Sequence, residues 1–290
     1  MPVLYILFQW LLINHSAEIH PYPLSSRFET AVVTGVIADS MLAEASGMVA
    51  SVANPGYYWV INDSGNSPAV YLIDSLGMVA RTFYLKNVAN IDWEDIAVVK
   101  SDNSSYKLII ADIGDNFGVR QYTQLFVMDE PTLALKNDSF IDNYQTYKYV
   151  FEDGARDAET ILTDPLNNEI YIVSKRESQV GVYAVPALHR QSATDTLRLL
   201  GRLPFNNITA GSISVNGRDI VLKNYNAIFY WSREGNNTLL QTLKMPHETV
   251  DYIVEPQGES MTWNREGTGF YTLSELSYSD KQQLYFYKKK

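Results

Sequence analysis

Short apolar runs recur along the chain, some alternating with polar residues and some continuous, and Gly, Pro, Asn, Asp and Ser break them up. That pattern predicts strands joined by tight turns. Residues 47–52, 57–62, 69–74 and 79–85 read as four strands. Asn54-Pro55-Gly56, Asp63-Ser64-Gly65-Asn66 and Ser75-Leu76-Gly77 supply the turns between them. The same layout repeats over 96–100, 107–112, 125–129 and 144–151, with the longest insert at 133–143. It repeats over 160–164, 169–174, 181–185 and 196–203, and again over 212–215, 219–223, 227–232 and 238–243. A last set, 261–264, 269–274 and 283–287, is one strand short, and an alternating N-terminal run at 28–36 is available to complete it.

Each set opens on a related stretch. The fullest is Asp92-Trp93-Glu94-Asp95-Ile96-Ala97. The others are Glu44-Ala45-Ser46-Gly47-Met48, Asp157-Ala158-Glu159-Thr160-Ile161 and Gln257-Gly258-Glu259-Ser260-Met261, the last with Glu255 just upstream. Thr209-Ala210-Gly211-Ser212-Ile213 stands at the head of the fourth set without carboxylates. Polar groups at i and i+2 of a strand share a face, so each copy offers paired oxygen ligands. Repeats this far apart predict a radial array of small sheets. The expected fold is all-β, a single β-propeller of five blades of four antiparallel strands. The N-terminal strand closes the ring, which removes exposed edges. Six blades is the alternative if 131–143 or 245–254 contains further strands, and a β-sandwich or two β domains is the other arrangement the spacing fits.

Composition changes the picture mainly at the ends of the chain and in its charge. With 290 residues and 46% hydrophobic content there is material for a large core, and 20 tyrosines favour strands. The net charge of −10 argues against nucleic acid or an anionic membrane as partner. The absence of cysteine excludes disulfides, thiolate metal sites and cysteine nucleophiles. Residues 3–13 form an apolar run too short to span a bilayer, followed by Asn14-His15-Ser16-Ala17. This predicts a signal peptide at 1–17 ahead of a propeller domain at 18–290; a hydrophobic first strand is the other reading. Sequons at Asn103, Asn137, Asn207 and Asn236 add to the expectation of a secreted, extracellular glycoprotein.

In a meander, the start of strand one and the end of strand two lie at the same end of the sheet. One face therefore collects Glu44, Asp92, Glu94, Asp95, Asp157, Glu159, Glu255 and Glu259 from the first strands. It also collects Asn62-Asp63, Asp112, Asp115-Asn116, Lys175-Arg176, Lys223-Asn224 and Glu275 from the second, with Arg120 and Arg156 near them in sequence. Crowded carboxylates call for cations, and hard oxygen ligands with few histidines suit Ca2+, with Mg2+ as the alternative. The expected ligands are Glu44, Asp63, Asp92, Glu94, Asp115, Glu159, Glu255 and Glu259; acids that cap turns would give the same pattern without a metal. Asp112, Asp157, Lys175 and Lys223 are the candidate catalytic residues, the lysines as holders of an anion or as ordinary ion-pair partners. His189 and His247 stand alone, and no nucleophile elbow or His-Glu-x-x-His occurs. Trp59, Trp93, Trp231 and Trp263 are expected in blade packing; for Trp93, between two motif acids, lining the channel is the alternative.

Glu44-Ala-Ser-Gly-Met, Asn62-Asp-Ser-Gly-Asn, Asp92-Trp-Glu-Asp-Ile-Ala, Asp112-Ile-Gly-Asp-Asn, Arg156-Asp-Ala-Glu and Glu255-Pro-Gln-Gly-Glu, in that order, resemble a group of secreted, largely uncharacterised propeller proteins. The chain also resembles the wider set of SdiA-regulated and phytase-like (esterase-like) propellers, which share Asp-x-Glu-Gly-Ile openings. The resemblance implies a propeller with an acidic, calcium-holding channel. Asp95, Thr160 and Ser260 replace the glycine usual in that set, and the fourth opening lacks the acids; both departures weigh against phytase activity. The leading expectation is a secreted calcium-binding propeller whose acidic face holds a small anionic ligand or substrate; if it is an enzyme, the expected reaction is metal-dependent hydrolysis of a phosphate or other ester. The alternative is a non-catalytic module that binds an extracellular protein or glycan, and a third is that the acids only satisfy the channel.

Overall fold

A computed structural model describes residues 23–101, 105–134, 140–188, 193–276 and 281–290. The expected leader at 1–17, Asn103, Asn137 and His189 lie outside them. Asn207 and Asn236 are exposed.

Val, Ile, Tyr and Phe fill the strands, and the pairing sorts these into antiparallel meanders. The N-terminal strand is β1 (Val32–Ile37). The first meander is β2 (Ala45–Ala50), β3 (Tyr57–Asn62), β4 (Ala69–Asp74) and β5 (Val79–Leu85). The second is β6 (Trp93–Lys100), β7 (Tyr106–Asp112), β8 (Thr123–Asp129) and, after the short β9 (Phe140–Ile141), β10 (Tyr144–Phe151). The third is β11 (Ala158–Thr163), β12 (Ile170–Ser174), β13 (Val180–Ala184) and β14 (Thr194–Leu203). The fourth is β15 (Ile208–Ile213), β16 (Asp219–Asn224), β17 (Ile228–Ser232) and β18 (Glu248–Val250). The last is β19 (Gly258–Trp263), β20 (Gly269–Ser274) and β21 (Gln282–Lys288), completed by β1, which runs antiparallel to β21 with Val32 opposite Phe286 and Ile37 opposite Gln282.

The first strands of the meanders neighbour one another in a closed circuit, β2 to β6 to β11 to β15 to β19 and back to β2. The molecule is thus a β-propeller, with those strands around a central channel. Burial agrees: β7, β12, β19 and β20 are covered almost throughout, whereas the outer β14 alternates between covered and exposed positions. Inner strands packed on both faces need continuous apolar runs, and outer ones need only one apolar face. The core divides into five clusters, one in each seam between neighbouring meanders. A sandwich would instead show one central layer. Phe28 packs in the seam between the fourth and last meanders, edge-on to Tyr230 and Phe270 at ring-centroid distances of 5.2 and 5.3 Å.

Two expected elements differ. Residues 238–243, expected as the outer strand of the fourth meander, instead hold the helix α1 (Leu239–Leu243) and its cap. Thr238 accepts from the Gln241 backbone N–H, and the Gln241 side chain accepts from the Thr238 N–H, a reciprocal cap that nucleates a helix where the apolar spacing alone fits a strand. Glu248–Val250 supplies the missing outer strand, pairing with β17. Among its described residues, the insert at 133–143 contributes β9, which runs parallel to β5 of the first meander. β10 and β14 also pair in parallel and join the outer edges of the second and third meanders.

Candidate acidic site

Every inner strand breaks register at the same point, between Ala45 and Gly47, Trp93 and Asp95, Ala158 and Thr160, Ile208 and Ala210, and Gly258 and Ser260. The skipped residues are Ser46, Glu94, Glu159, Thr209 and Glu259. A bulge of this kind leaves one residue unpaired and re-aims its side chain, and it interrupts the period-two alternation on which the same-face expectation rested. The bulges also correct the fourth opening. Thr209 occupies the position of Glu94, Glu159 and Glu259, so the stretch is Asn207-Ile208-Thr209, two residues earlier than the sequence alignment had it.

The bulged residues then divide by chemistry. Ser46 donates to the Trp93 carbonyl at 2.8 Å and Thr209 to the Gly258 carbonyl at 3.0 Å, each reaching the neighbouring inner strand. The carboxylates converge. Oxygen atoms of Asp63, Asp92 and Glu94 lie within 4.8 Å of one another, and so do those of Glu94, Asp157 and Glu159, with Glu94 common to both groups. Glu94, Asp157, Glu159 and Glu259 are all buried. Gly114 abuts the cluster, since a Cβ there would overlap Glu94 Oε1 and Asp92 Oδ2.

One buried cation enters the cluster. Lys175 Nζ pairs with Glu159 Oε1, stands 3.5 Å from Glu259 Oε1, and lies 5.2 Å from the centre of the Tyr225 ring. The Tyr225 hydroxyl donates to Glu259 Oε1. Glu159 Oε2 is buried and, among the described residues, has no hydrogen-bond partner. Burial comes first among the forces on these acids, and their neighbours add to it. Glu94 is pushed well above the usual carboxylate range, with Asp63 and Asp92 reinforcing burial. Asp92 is raised to about 6 by burial, Asp63 and Asp157, and Glu275 to about 8 by burial, Glu259 and Asp63. Asp63 is raised by burial against the opposing Ser64 N–H. Such crowding favours a bound proton or a bound cation.

The other expected site residues have protein partners. Asp112 accepts from Arg120 at 2.8 Å, Gln124 at 2.7 Å and the Asp92 N–H at 3.2 Å. Asp115 accepts the Val119 and Arg120 N–H groups and so caps the 114–120 turn, while its own N–H donates to Asp157. Arg176 bridges Asp157 and Asn116. Glu44 is exposed and bonded to Asn66. Lys223 is fully covered, 2.8 Å from Glu255, whose carboxylate also accepts from Tyr252 and Thr272. The ion-pair reading expected as the alternative for Lys223 is the one this geometry matches. Arg156 pairs with Asp153 and Glu177 in its own meander.

Trp93 takes the blade-packing position and not the channel: it is fully buried in the seam between the first and second meanders, 5.8 Å from Phe126, and the strand carries it to the side opposite Glu94. His247 packs among Phe205, Phe229 and Trp231, and burial lowers its basicity. Tyr225 and Tyr252 were missed as site residues. Tyr252 stands three residues before Glu255, a visible signal that a search for hard oxygen ligands passes over, whereas Tyr225 meets Glu259 only through the fold, 34 residues away in sequence.

No family model matches the sequence, and no curated protein does. Among solved structures, the chain is similar to the PQQ-bound form of aldose sugar dehydrogenase from Streptomyces coelicolor, with 8% identity and a TM-score of 0.49. The match covers 91% of this chain and 100% of that one. At that similarity nothing of the enzyme's ligand transfers to this protein.

Proposed function

We propose that this is a secreted, calcium-binding five-bladed propeller that uses its acidic mouth to bind and hydrolyse a small phosphate or other ester. The observation that carries the proposal is the buried, unpartnered Glu159 Oε2 inside a convergent set of carboxylates. An orphaned buried oxygen is costly unless a ligand completes it. All the donors are oxygens, which fits a hard cation. Asp63, Asp92, Glu94, Asp157 and Glu159 would hold it, and a bound Ca2+ supplies charge neutralisation and polarisation of an ester oxygen. Lys175 holds the charge of an anionic substrate from the third meander's side. Tyr225 orients Glu259, and Gly114 leaves the approach open.

A non-catalytic binding role has its own support. Ile91, Phe117 and Val254 are 53%, 89% and 61% exposed, and each lies close in sequence to a residue of the acidic face. An apolar rim around a charged centre suits a macromolecular partner.

Protein recovered from the medium of secretory cells decides between these readings, and its arrival there, cut near Ala17, tests secretion. Ca2+ should raise the melting temperature, by the equivalent of about 2.7 kcal/mol at one hundred times the dissociation constant. Glu94→Gln and Glu159→Gln should remove most of that gain. Superimposable melts in Ca2+ and EGTA would leave the acids structural. Ca2+-dependent turnover of phosphate or carboxylic esters, lost in Lys175→Met, supports the hydrolase. Ca2+ binding without turnover assigns the face to a partner.

A further inference from the structure

The outer strand of each meander has backbone groups that face away from its own sheet, and most of these edges are covered. β10 and β14 pair with each other, which joins the second and third meanders into one eight-stranded sheet. β5 pairs with β9 at Tyr84 and Leu85. Residues 23–25 run beside β18: the Ser25 N–H donates to the Thr249 carbonyl at 2.7 Å, and the Thr249 N–H to the Pro23 carbonyl at 3.0 Å. β1 ends its sheet, and among the described residues no segment pairs with its outer side.

That open strand lacks the charges and prolines that guard an edge. None falls between Glu29 and Asp39, whereas the outer strands of the other meanders carry Arg81, Lys148, Asp195 and Glu248. Glu29 itself is paired with Lys288 at 3.0 Å. A bulge between Val33 and Gly35 bends the strand locally without covering it. Val32 and Val33 are 55% and 47% exposed, and successive strand residues point to opposite faces, so both faces meet solvent there. The turn at 75–77 lies against one face at Gly35, where a Cβ would overlap the Leu76 carbonyl oxygen. It sets Gly77 against Val36, with the exposed Leu76 and Met78 to either side of Gly77. Exposed apolar side chains grouped in this way mark an interaction surface.

Charge decides what the surface fits. At a net charge of −10 two copies repel at most approaches, and an uncharged edge is where they can meet. The same edge offers nothing to select an acidic or a basic peptide. A two-fold axis sets the strand antiparallel to its own copy, so that each outward group meets an equivalent one. The pairing of β10 with β14 already joins two outer edges within the chain. We propose that β1 is a dimer interface, pairing antiparallel with β1 of a second copy, so that the two last meanders form one eight-stranded sheet away from the acid clusters on the inner strands.

Sedimentation of the purified protein tests it, and should show a monomer–dimer equilibrium in EGTA and in Ca2+ alike. Val32→Lys/Val36→Lys alters only exposed side chains and sets like charges together across the axis. It should raise the dimer dissociation constant about a hundredfold, with circular dichroism unchanged. Val215→Lys, on an exposed residue of another meander, should leave the equilibrium as it was. Because the chain has no cysteine, a single introduced one can form a disulfide only with another copy. Of Val32→Cys, Val33→Cys, Thr34→Cys and Val36→Cys, the one or two nearest the axis should cross-link, and Phe117→Cys should not. A monomer at every concentration, a dimer equally tight in the double lysine variant, or cross-linking by Phe117→Cys and by none of the β1 cysteines would each overturn the proposal. The last outcome would place the interface on the acidic face.

Discussion

At the scale of single residues, the two buried lysines have the same sequence signature and different circumstances. Both end a second strand, and both face an acid of an opening stretch. Lys223 has no solvent access and one dedicated partner, Glu255, itself held by Tyr252 and Thr272. Lys175 stands among more carboxylates than it can neutralise. Position in the sequence could place both at the channel, but it could not say which had a closed partner set, because that depends on tyrosines contributed by later turns. Breaking a closed buried pair leaves a naked charge, at a cost of about 3–5 kcal/mol, whereas replacing both partners with apolar groups is often neutral. Lys223→Met should therefore lose about that much in urea unfolding, and Lys223→Met/Glu255→Leu should recover most of it. A single variant as stable as the parent would mean that Glu255 takes up a proton or finds another partner.

At the scale of elements, most strands lie where apolar runs and turn residues put them, because those signals are local. What was not legible required knowledge across strands. The bulge at each opening is a relation between two strands, so the alternation rule put Asp92 and Glu94, or Asp157 and Glu159, on one face without it. The same gap misplaced the fourth opening by two residues. The misread strand at 238–243 is a different kind of failure, since its signal, Thr238 followed by Gln241, lies in the sequence and was outweighed by apolar spacing. If the reciprocal cap decides the helix, Thr238→Ala should cost about 1 kcal/mol in urea unfolding, and Thr238→Asn should cost far less. A loss of only a few tenths for Thr238→Ala would mean that burial of Leu239 and Leu243 holds the helix unaided.

At the scale of the whole molecule, the ring architecture was legible from its repeated openings and from the missing strand that β1 supplies. The consequence of closing the ring was less so: it drives inner-strand acids toward one axis, where solvent cannot screen them. That produces a pH dependence of definite sign. Glu275, raised by burial, Glu259 and Asp63 to about 8 from an ordinary 4.5, binds its proton more tightly in the folded state. Asp92, raised to about 6, acts in the same direction. A group of this kind contributes stability that is complete below the ordinary carboxylate range and is lost as pH rises through the folded value. In EGTA the melting temperature should therefore fall as pH rises from 5 to 8, and Glu275→Gln should flatten the upper part of that decline. Saturating Ca2+ should flatten it further, because a cation in the cluster replaces the protons as the neutralising charge. A melting temperature that climbs with pH in EGTA would show that ion pairs elsewhere, not the axial acids, govern the fold's response to protons. A Ca2+ curve parallel to the EGTA curve would show that the ring holds its acids by protonation alone.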